Sequence, residues 1–349
     1  EGIKAYGSDP LRFTFYSIAS RTRTVRFDIK RVEGYRNFCN KIWNAANFVT
    51  SHLEGHEDEL ASNDIRLTQV DIWITAELQN VTKAITLAME TYRFDLAAKW
   101  IYEFIWDQFC DWYVELSKPV LNATESDPAV RRGTRQTLAK TMEAIFRLSH
   151  PFLPFLTEEL WQRLPENVRG DGATLMLQPY PVADDSLINP AAIADVDWLK
   201  KVVSGVRNIR GEMDISPAKP IPVLFFNGSS SDQERLGRFR DLLDFLIRPE
   251  SISWMTDDSH KPAAATALVG RMELLVPIAG LIDKQAELAR LDKEIERRQK
   301  DHQKAENKIN NPDFVEKAPA EVVNKERDKL QELEAALEKL IEQRTSVAD

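Results

Sequence analysis

From Lys30 to Val49 the residues Val32, Tyr35, Phe38, Cys39, Ile42, Trp43, Ala46 and Val49 return every three or four positions. That period predicts a helix with one buried face. The same spacing recurs on both sides of it. Asp9 and Pro10 read as a capping residue and a proline at the first helical position, opening a helix through Leu11, Phe13, Phe15, Tyr16 and Ile18. A polar stretch from Glu54 to Asn63 separates the second helix from a third, Asp64 to Glu90, with Ile65, Val70, Ile72, Trp73, Leu78, Val81 and Ile85 inward. A fourth, Phe94 to Ser117, carries Trp100, Ile101, Phe104, Ile105, Phe109, Trp112 and Tyr113 and is ended by Pro119. Pro128 to Ser149 and a short helix within His150 to Leu164 complete a bundle over residues 1–164.

Residues 165–190, rich in Pro, Gly and Asp, have no clear period and read as a linker. Over 191–279 helices (Val196 to Gly211, Asp232 to Ile247) alternate with short strands at Ile221 to Phe226, Ile252 to Trp254, Ala267 to Gly270 and Met272 to Pro277, a small α/β domain. From 280 to 349 heptad spacing takes over. Leu281, Leu288, Ile295 and Ile309 form one run, and Val323, Leu330 and Leu337 another, broken at Asn310 to Asp313. This predicts an antiparallel two-helix coiled-coil arm. The expected fold class is mainly α: a helical bundle, a small α/β domain, then the arm.

Charge changes the picture at one place. The chain carries −9 overall, yet residues 1–50 hold nine basic and four acidic residues. The outer face of the Lys30 to Val49 helix is cationic and amide-rich, with Lys30, Arg31, Arg36, Asn37, Asn40, Lys41, Asn44 and Asn47 against the single acid Glu33. With Phe48 alongside, that face suits an anion with flat faces, and single-stranded RNA is the extended polyanion that amides and rings read. A solvated helix face is the plainer account. Arg207 and Arg210 in VRNIRGE are phosphate contacts or surface charge. Arg297, Arg298, Lys300, Lys304 and Lys308 form a positive band on the arm or its ordinary flanking charge.

No catalytic constellation is present: no phosphate-cradling glycine loop, nucleophile elbow or histidine pair in a metal motif. His52 and His56 read as a solvated helix end, and His302 falls on a core position of the arm. Cys39 and Cys110 read as buried free thiols, which fits a reducing cytoplasm. No apolar run spans a bilayer, so no membrane partner is expected, and the opening of the chain reads as a cut from a longer protein.

The segments AYGSDPLRFTFYSIAS, RVEGYRNFCNKIWNAANFV, HPFLPFLTEELWQRL, VRNIRGEMDISPAKPI, MELLVPIAGLID and NPDFVEKAPAEVV together resemble the C-terminal part of the bacterial valyl-tRNA synthetases, class I aminoacyl-tRNA synthetases. The resemblance implies a monomeric, cytoplasmic tRNA-gripping portion, with tRNA for valine as partner. It implies no cofactor in this chain, ATP and Mg serving the parent enzyme. It places Arg26, Lys30, Lys41, Asn44, Asn47 and Phe48 at the anticodon, with Phe48 stacking on a base; many relatives carry Arg where Asn47 stands. Arg207, Arg210, Arg297, Arg298, Lys300, Lys304 and Lys308 would meet the tRNA elbow. The same module from an isoleucine or leucine enzyme, or a helical scaffold binding a protein through its coiled coil, are the alternatives.

Overall fold

A computed structural model describes residues 6–20, 24, 26–123, 127–170, 172–257, 261–277, 284–310, 325–331, 333–334, 337 and 341, with the backbone alone at 284–291 and 294. The chain divides into two compact units, Glu1–Ser204 with Ser229–Ile247, and Gly205–Gly228 with Arg248–Asp349.

The first unit is built of antiparallel helices: α1 (Ser8–Ile18), α2 (Ile29–Leu53), α3 (Gln69–Glu90), α4 (Phe94–Glu103, Phe104–Tyr113 and Val114–Asn122 in continuous succession), α5 (Pro128–Ser149) and α6 (Pro154–Trp161). Its core is aromatic, with Phe13, Phe38, Trp73, Phe109, Tyr113, Phe146, Phe152 and Trp161 fully buried. Asp9 does not cap its own helix. Gly7 stands at that N-cap, and the Asp9 carboxylate instead accepts the Leu156 N–H at 2.7 Å, closing the first turn of α6 from across the bundle. Burial pushes the Asp9 pKa up, against the Leu156 and Phe155 backbone bonds that pull it down.

α3 starts at Gln69, later than the periodicity predicts, because Thr68 and Asp71 form a capping box there. Asp71 is also the polar centre of the bundle. It accepts hydrogen bonds from Tyr113 Oη (2.7 Å), Thr134 Oγ1 (3.0 Å), Thr68 Oγ1 (2.7 Å) and Thr68 N (2.9 Å) while almost wholly buried. Gly133 lets α5 approach the strand-like stretch before α3, since a Cβ there would stand 2.4 Å from the Arg66 carbonyl oxygen.

α4 departs most from expectation. Its middle, Phe104–Tyr113, is π-helical, and the wider turn buries Ile105, Phe109 and Tyr113 at steps of four. Trp100, in the α-helical stretch before it, is 37% exposed. Pro119 does not end the helix, which runs to Asn122; a missing N–H this near the C-terminus costs one bond of the final turn. Residues 165–190 lie along the bundle: Glu158 accepts the Leu175 N–H, and Tyr180 donates to the Leu148 carbonyl. His56 is not simply solvated. Its Nε2 lies 3.0 Å from Arg135 Nη2 and its Nδ1 3.1 Å from Glu59.

α7 (Pro190–Glu212) begins in the first unit and ends in the second. Strand β1 (Ile221–Phe226) follows, then α8 (Ser230–Arg238) and α9 (Arg240–Ile247), where one helix was expected. In the first unit Asp195 of α7 holds Arg235 at 2.8 Å and Arg238 of α8. The chain returns through β2 (Pro249–Met255), β3 (Ala264–Val269) and β4 (Met272–Pro277). The sheet order is β2-β1-β4-β3, with β1 parallel to β2 and antiparallel to β4. A parallel pair needs a crossover, and α8 and α9 supply its length.

In the second unit α10 (Lys284–Ile309) carries Ile295 and Ala305 buried. The later segment runs antiparallel beside it: Lys308 meets Glu326 at 3.0 Å and His302 meets Glu334 at 3.4 Å, so the partner's number falls as the helix advances. His302 thus serves as a polar cross-contact. The break from Asn311 to Asp313, Leu281 and Val323 lie outside the described residues.

Candidate nucleic-acid interface

α2 forms because Asp28 caps it, its Oδ1 accepting the Lys30 N–H at 2.9 Å, and because Val32, Phe38, Cys39, Ile42, Ala45, Ala46, Val49 and Leu53 all turn inward. The opposite face is what the sequence marked. Lys30, Glu33, Asn37, Asn40, Asn44, Asn47 and Ser51 are exposed at alternating steps of three and four, one continuous polar ridge with four amides at its centre and Glu33 its sole acid. Asparagine amides carry donors and an acceptor without charge, so such a ridge can meet base edges as well as phosphates.

Lys41 does not stand on that ridge. It is half-buried, its ammonium 2.5 Å from Asp111 and 3.8 Å from the Trp106 ring centroid. Trp106 in turn stacks on Tyr102 at 5.5 Å, and Tyr102 lies 4.8 Å from Phe38. α4 therefore supplies an aromatic wall, Tyr102 and Trp106, with a lysine laid across Trp106. The neighbouring Asp107 has its carboxyl pulled up by burial and by Asp111. Phe48 is half-buried, 4.3 Å from the His52 ring, with the Lys118 ammonium 5.9 Å away. Trp43, counted inward from sequence, is half-exposed beneath Arg163, whose guanidinium sits 4.4 Å from its ring.

Trp106, Asp111, Lys118 and Arg163 were missed in the sequence. Three belong to α4 and one follows α6, all remote in sequence from α2. No spacing signals a partner supplied by another helix.

Arg26 and Lys30 are exposed at the other end of α2. Eighteen residues of helix, about 27 Å, separate Lys30 from Phe48. The six residues expected at one anticodon site therefore divide into Asn44, Asn47 and Phe48 at one end, Arg26 and Lys30 at the other, and Lys41 between them against α4.

In the second unit Arg207 is exposed, but Arg210 is not the phosphate contact read from sequence. It is 6% exposed, and its guanidinium donates to the Ser216 and Lys219 carbonyls at 3.0 and 2.7 Å, pinning the turn that leads to β1. Arg297, Arg298, Lys300 and Lys304 are exposed on α10. Lys300 pairs with Glu296 at 2.7 Å and Lys304 with Asp301 at 3.6 Å, one turn away each. Among the described residues no group of His, Cys, Asp and Glu is arranged to hold a metal, and no helix is long and apolar enough to cross a membrane.

Comparison with known proteins gives two family matches: the anticodon-binding domain of tRNA ligase over residues 71–225, and the valyl tRNA synthetase tRNA-binding arm over residues 283–348. α4 lies inside the first match, while α2 precedes it. The valine–tRNA ligases of Legionella pneumophila strains Paris and Lens are each 44% identical over 347 residues, 99% of this chain. The chain spans 38% of the length of these relatives. The agnB2 LeuRS of Agrobacterium radiobacter K84, solved in a ternary complex with tRNA and LeuAMS, overlaps 79% of this chain and 29% of its own, at 14% identity and a TM-score of 0.40.

Proposed function

We propose, for a chain that belongs to the valyl-tRNA synthetase family through its anticodon-binding domain and its tRNA-binding arm, that it binds the tRNA of valine. The observation that carries this reading is the exposed amide ridge of α2, with half-buried Phe48 beside it, in a chain that is otherwise acidic. The identity to valine–tRNA ligases favours the valine branch over an isoleucine or leucine module and over a protein-binding scaffold.

The contribution to aminoacylation would be positional. Contacts far from the reacting bond hold the tRNA so that its acceptor end is placed elsewhere, where the ATP- and Mg-dependent chemistry takes place. Asn44, Asn47 and Phe48 meet anticodon bases, with Phe48 as the stacking ring and Lys118 beside it. Lys41 props the Trp106 wall. Arg207 and the arm residues Arg297, Arg298, Lys300, Lys304 and Lys308 take backbone phosphates of the elbow. The chain acts as a cytoplasmic monomer.

An electrophoretic titration of the whole chain with valine tRNA at two salt concentrations tests this. Binding is expected that weakens as salt rises, because phosphate contacts release counterions. Phe48→Ala should weaken it about tenfold, in keeping with the loss of one base stack. A tRNA carrying the isoleucine anticodon should bind more weakly than the valine one. No binding at low salt overturns the reading.

A further inference from the structure

The two histidines four residues apart meet opposite fates in the structure. Both ring nitrogens of His56 are occupied, Nε2 by Arg135 and Nδ1 by Glu59. His52, half-buried in the last turn of α2, commits one nitrogen only. Its Nδ1 lies 2.8 Å from the Phe48 carbonyl oxygen. A carbonyl oxygen only accepts, so Nδ1 carries the proton and donates it, which leaves Nε2 of the neutral ring a lone-pair acceptor. Among the described residues that Nε2 takes no partner, and it is not sealed away from solvent.

Position and surroundings say what such an acceptor suits. The His52 ring lies 4.3 Å from the ring of Phe48, so a nucleotide seated on Phe48 reaches the imidazole with its base edge or its ribose. Ser51 Oγ donates to the same Phe48 carbonyl at 2.9 Å and stands on the exposed ridge as a second acceptor. The negative end of the α2 dipole falls in this turn, and Glu54, Glu57 and Asp58 follow it exposed. Lys118, the cation 5.9 Å from the Phe48 ring, is itself paired with Glu115 at 2.6 Å. This end of α2 is therefore rich in acceptors and poor in unpaired positive charge. It suits an N–H or O–H donor better than a phosphate, and a nucleotide offers two such donors, the amino group of its base and the 2′-hydroxyl.

We propose that His52 is a specificity-determining residue of the RNA site, its Nε2 accepting a hydrogen bond from the nucleotide seated on Phe48, through a base amino group or the ribose 2′-hydroxyl. This rests on the RNA-binding reading above, with Phe48 as the stacking ring. The Phe48 carbonyl has a positioning part, since its bond to Nδ1 fixes both the tautomer and the angle of the imidazole. A buried-side acceptor that only the right donor can satisfy discriminates against a nucleotide lacking that donor.

The test titrates the whole chain at pH 8, above the ordinary histidine range, with the anticodon stem-loop of valine tRNA. Copies of that RNA are each changed by one group, a 2′-deoxyribose at one loop position or a loop base lacking its amino group. One deletion is expected to weaken binding to the unsubstituted chain about tenfold, the cost of leaving the acceptor without its donor. The same deletion should cost nothing further in His52→Phe, which keeps a ring against Phe48 and has no acceptor. A sensitive deoxy copy identifies the ribose as the donor, and a sensitive amino-less copy identifies the base. His52→Gln, whose amide oxygen can stand in for Nε2, should bind the unchanged stem-loop more tightly than His52→Phe. A general loss of affinity from a disturbed fold lowers all copies alike and leaves the cost of each deletion unmoved, so the cycle reads the pairing itself. Deletions that cost the same in His52→Phe as in the unsubstituted chain overturn this proposal alone. So does full affinity of His52→Phe for the unchanged stem-loop while Phe48→Ala weakens it. If no copy binds the unsubstituted chain, the RNA-binding reading falls, and this proposal with it.

Discussion

Lys41 on the bundle meets Asp111, 70 positions along the chain, and the ring of Trp106, whereas Lys300 on the arm meets Glu296, one turn back on its own helix. The same contrast runs through both regions. Arg135 reaches Glu59 across 76 positions and Tyr113 reaches Asp71 across 42, while Lys304 takes Asp301 three residues away. These polar groups of the bundle are held by helices that only folding brings together, and several are buried, although pairs within one helix, such as Arg147 with Glu143, occur there too. The pairs along the arm's helix sit in water and need that helix alone. A cation on the bundle can therefore be spent on structure, as Lys308 is on the arm where it reaches Glu326, whereas Lys300 and Lys304 keep only a partner one turn away in water.

Asp71→Asn should break the comparison most sharply. An amide there sets its own N–H groups against four donors and leaves at least one buried group unpaired, about 3 kcal/mol. The melting transition of the first unit should fall by about 6–12 °C. Glu296→Gln on the arm should leave the melt unmoved. An unchanged melt for Asp71→Asn would mean that the buried cluster is not what holds α3, α4 and α5 together.

A smaller effect is expected from double-mutant cycles. Lys41 with Asp111 should couple by about 1 kcal/mol, because the pair is partly shielded and the ammonium also rests on a ring. Lys300 with Glu296 should show no measurable coupling. Equal values for the two cycles would erase the distinction drawn between the regions.

The thiols give the smallest change, one without any substitution. Burial pushes both Cys39 and Cys110 up to about 12, so a thiol reagent at pH 8 should leave the folded chain untouched and label both after denaturation. Unfolded thiols titrate near pH 8.5. A raised folded value favours the native state below that pH, and this contribution is lost as the pH climbs towards 12. Rapid labelling of buried Cys39 in the native chain at pH 8 would show that the bundle opens around α2.

Much of this was legible in the chain. The helical period marked α2, the strand pattern placed β1 and β4, and the amide ridge with Asn37, Asn40, Asn44 and Asn47 lies outward as its spacing requires. Apolar character alone did not decide burial: Trp100 and Phe15 belong to helices as expected, yet both rings lie on the surface. Asp9 beside Pro10 looked like a local cap because nothing in the sequence announces α6 as its neighbour.

The sequence by itself determined which segments are helical, which face of α2 is polar and that the acidic chain concentrates cations near its start, because these depend on residues within one turn of each other. Tertiary structure alone decided which of the chain's cations are free to meet a ligand. Lys41 was drawn to Asp111 and Arg210 to two carbonyls, while Lys30 stayed in solvent. The physical reason is that the availability of a charge depends on its nearest opposite charge or buried acceptor, and in the bundle that partner arrives from another helix.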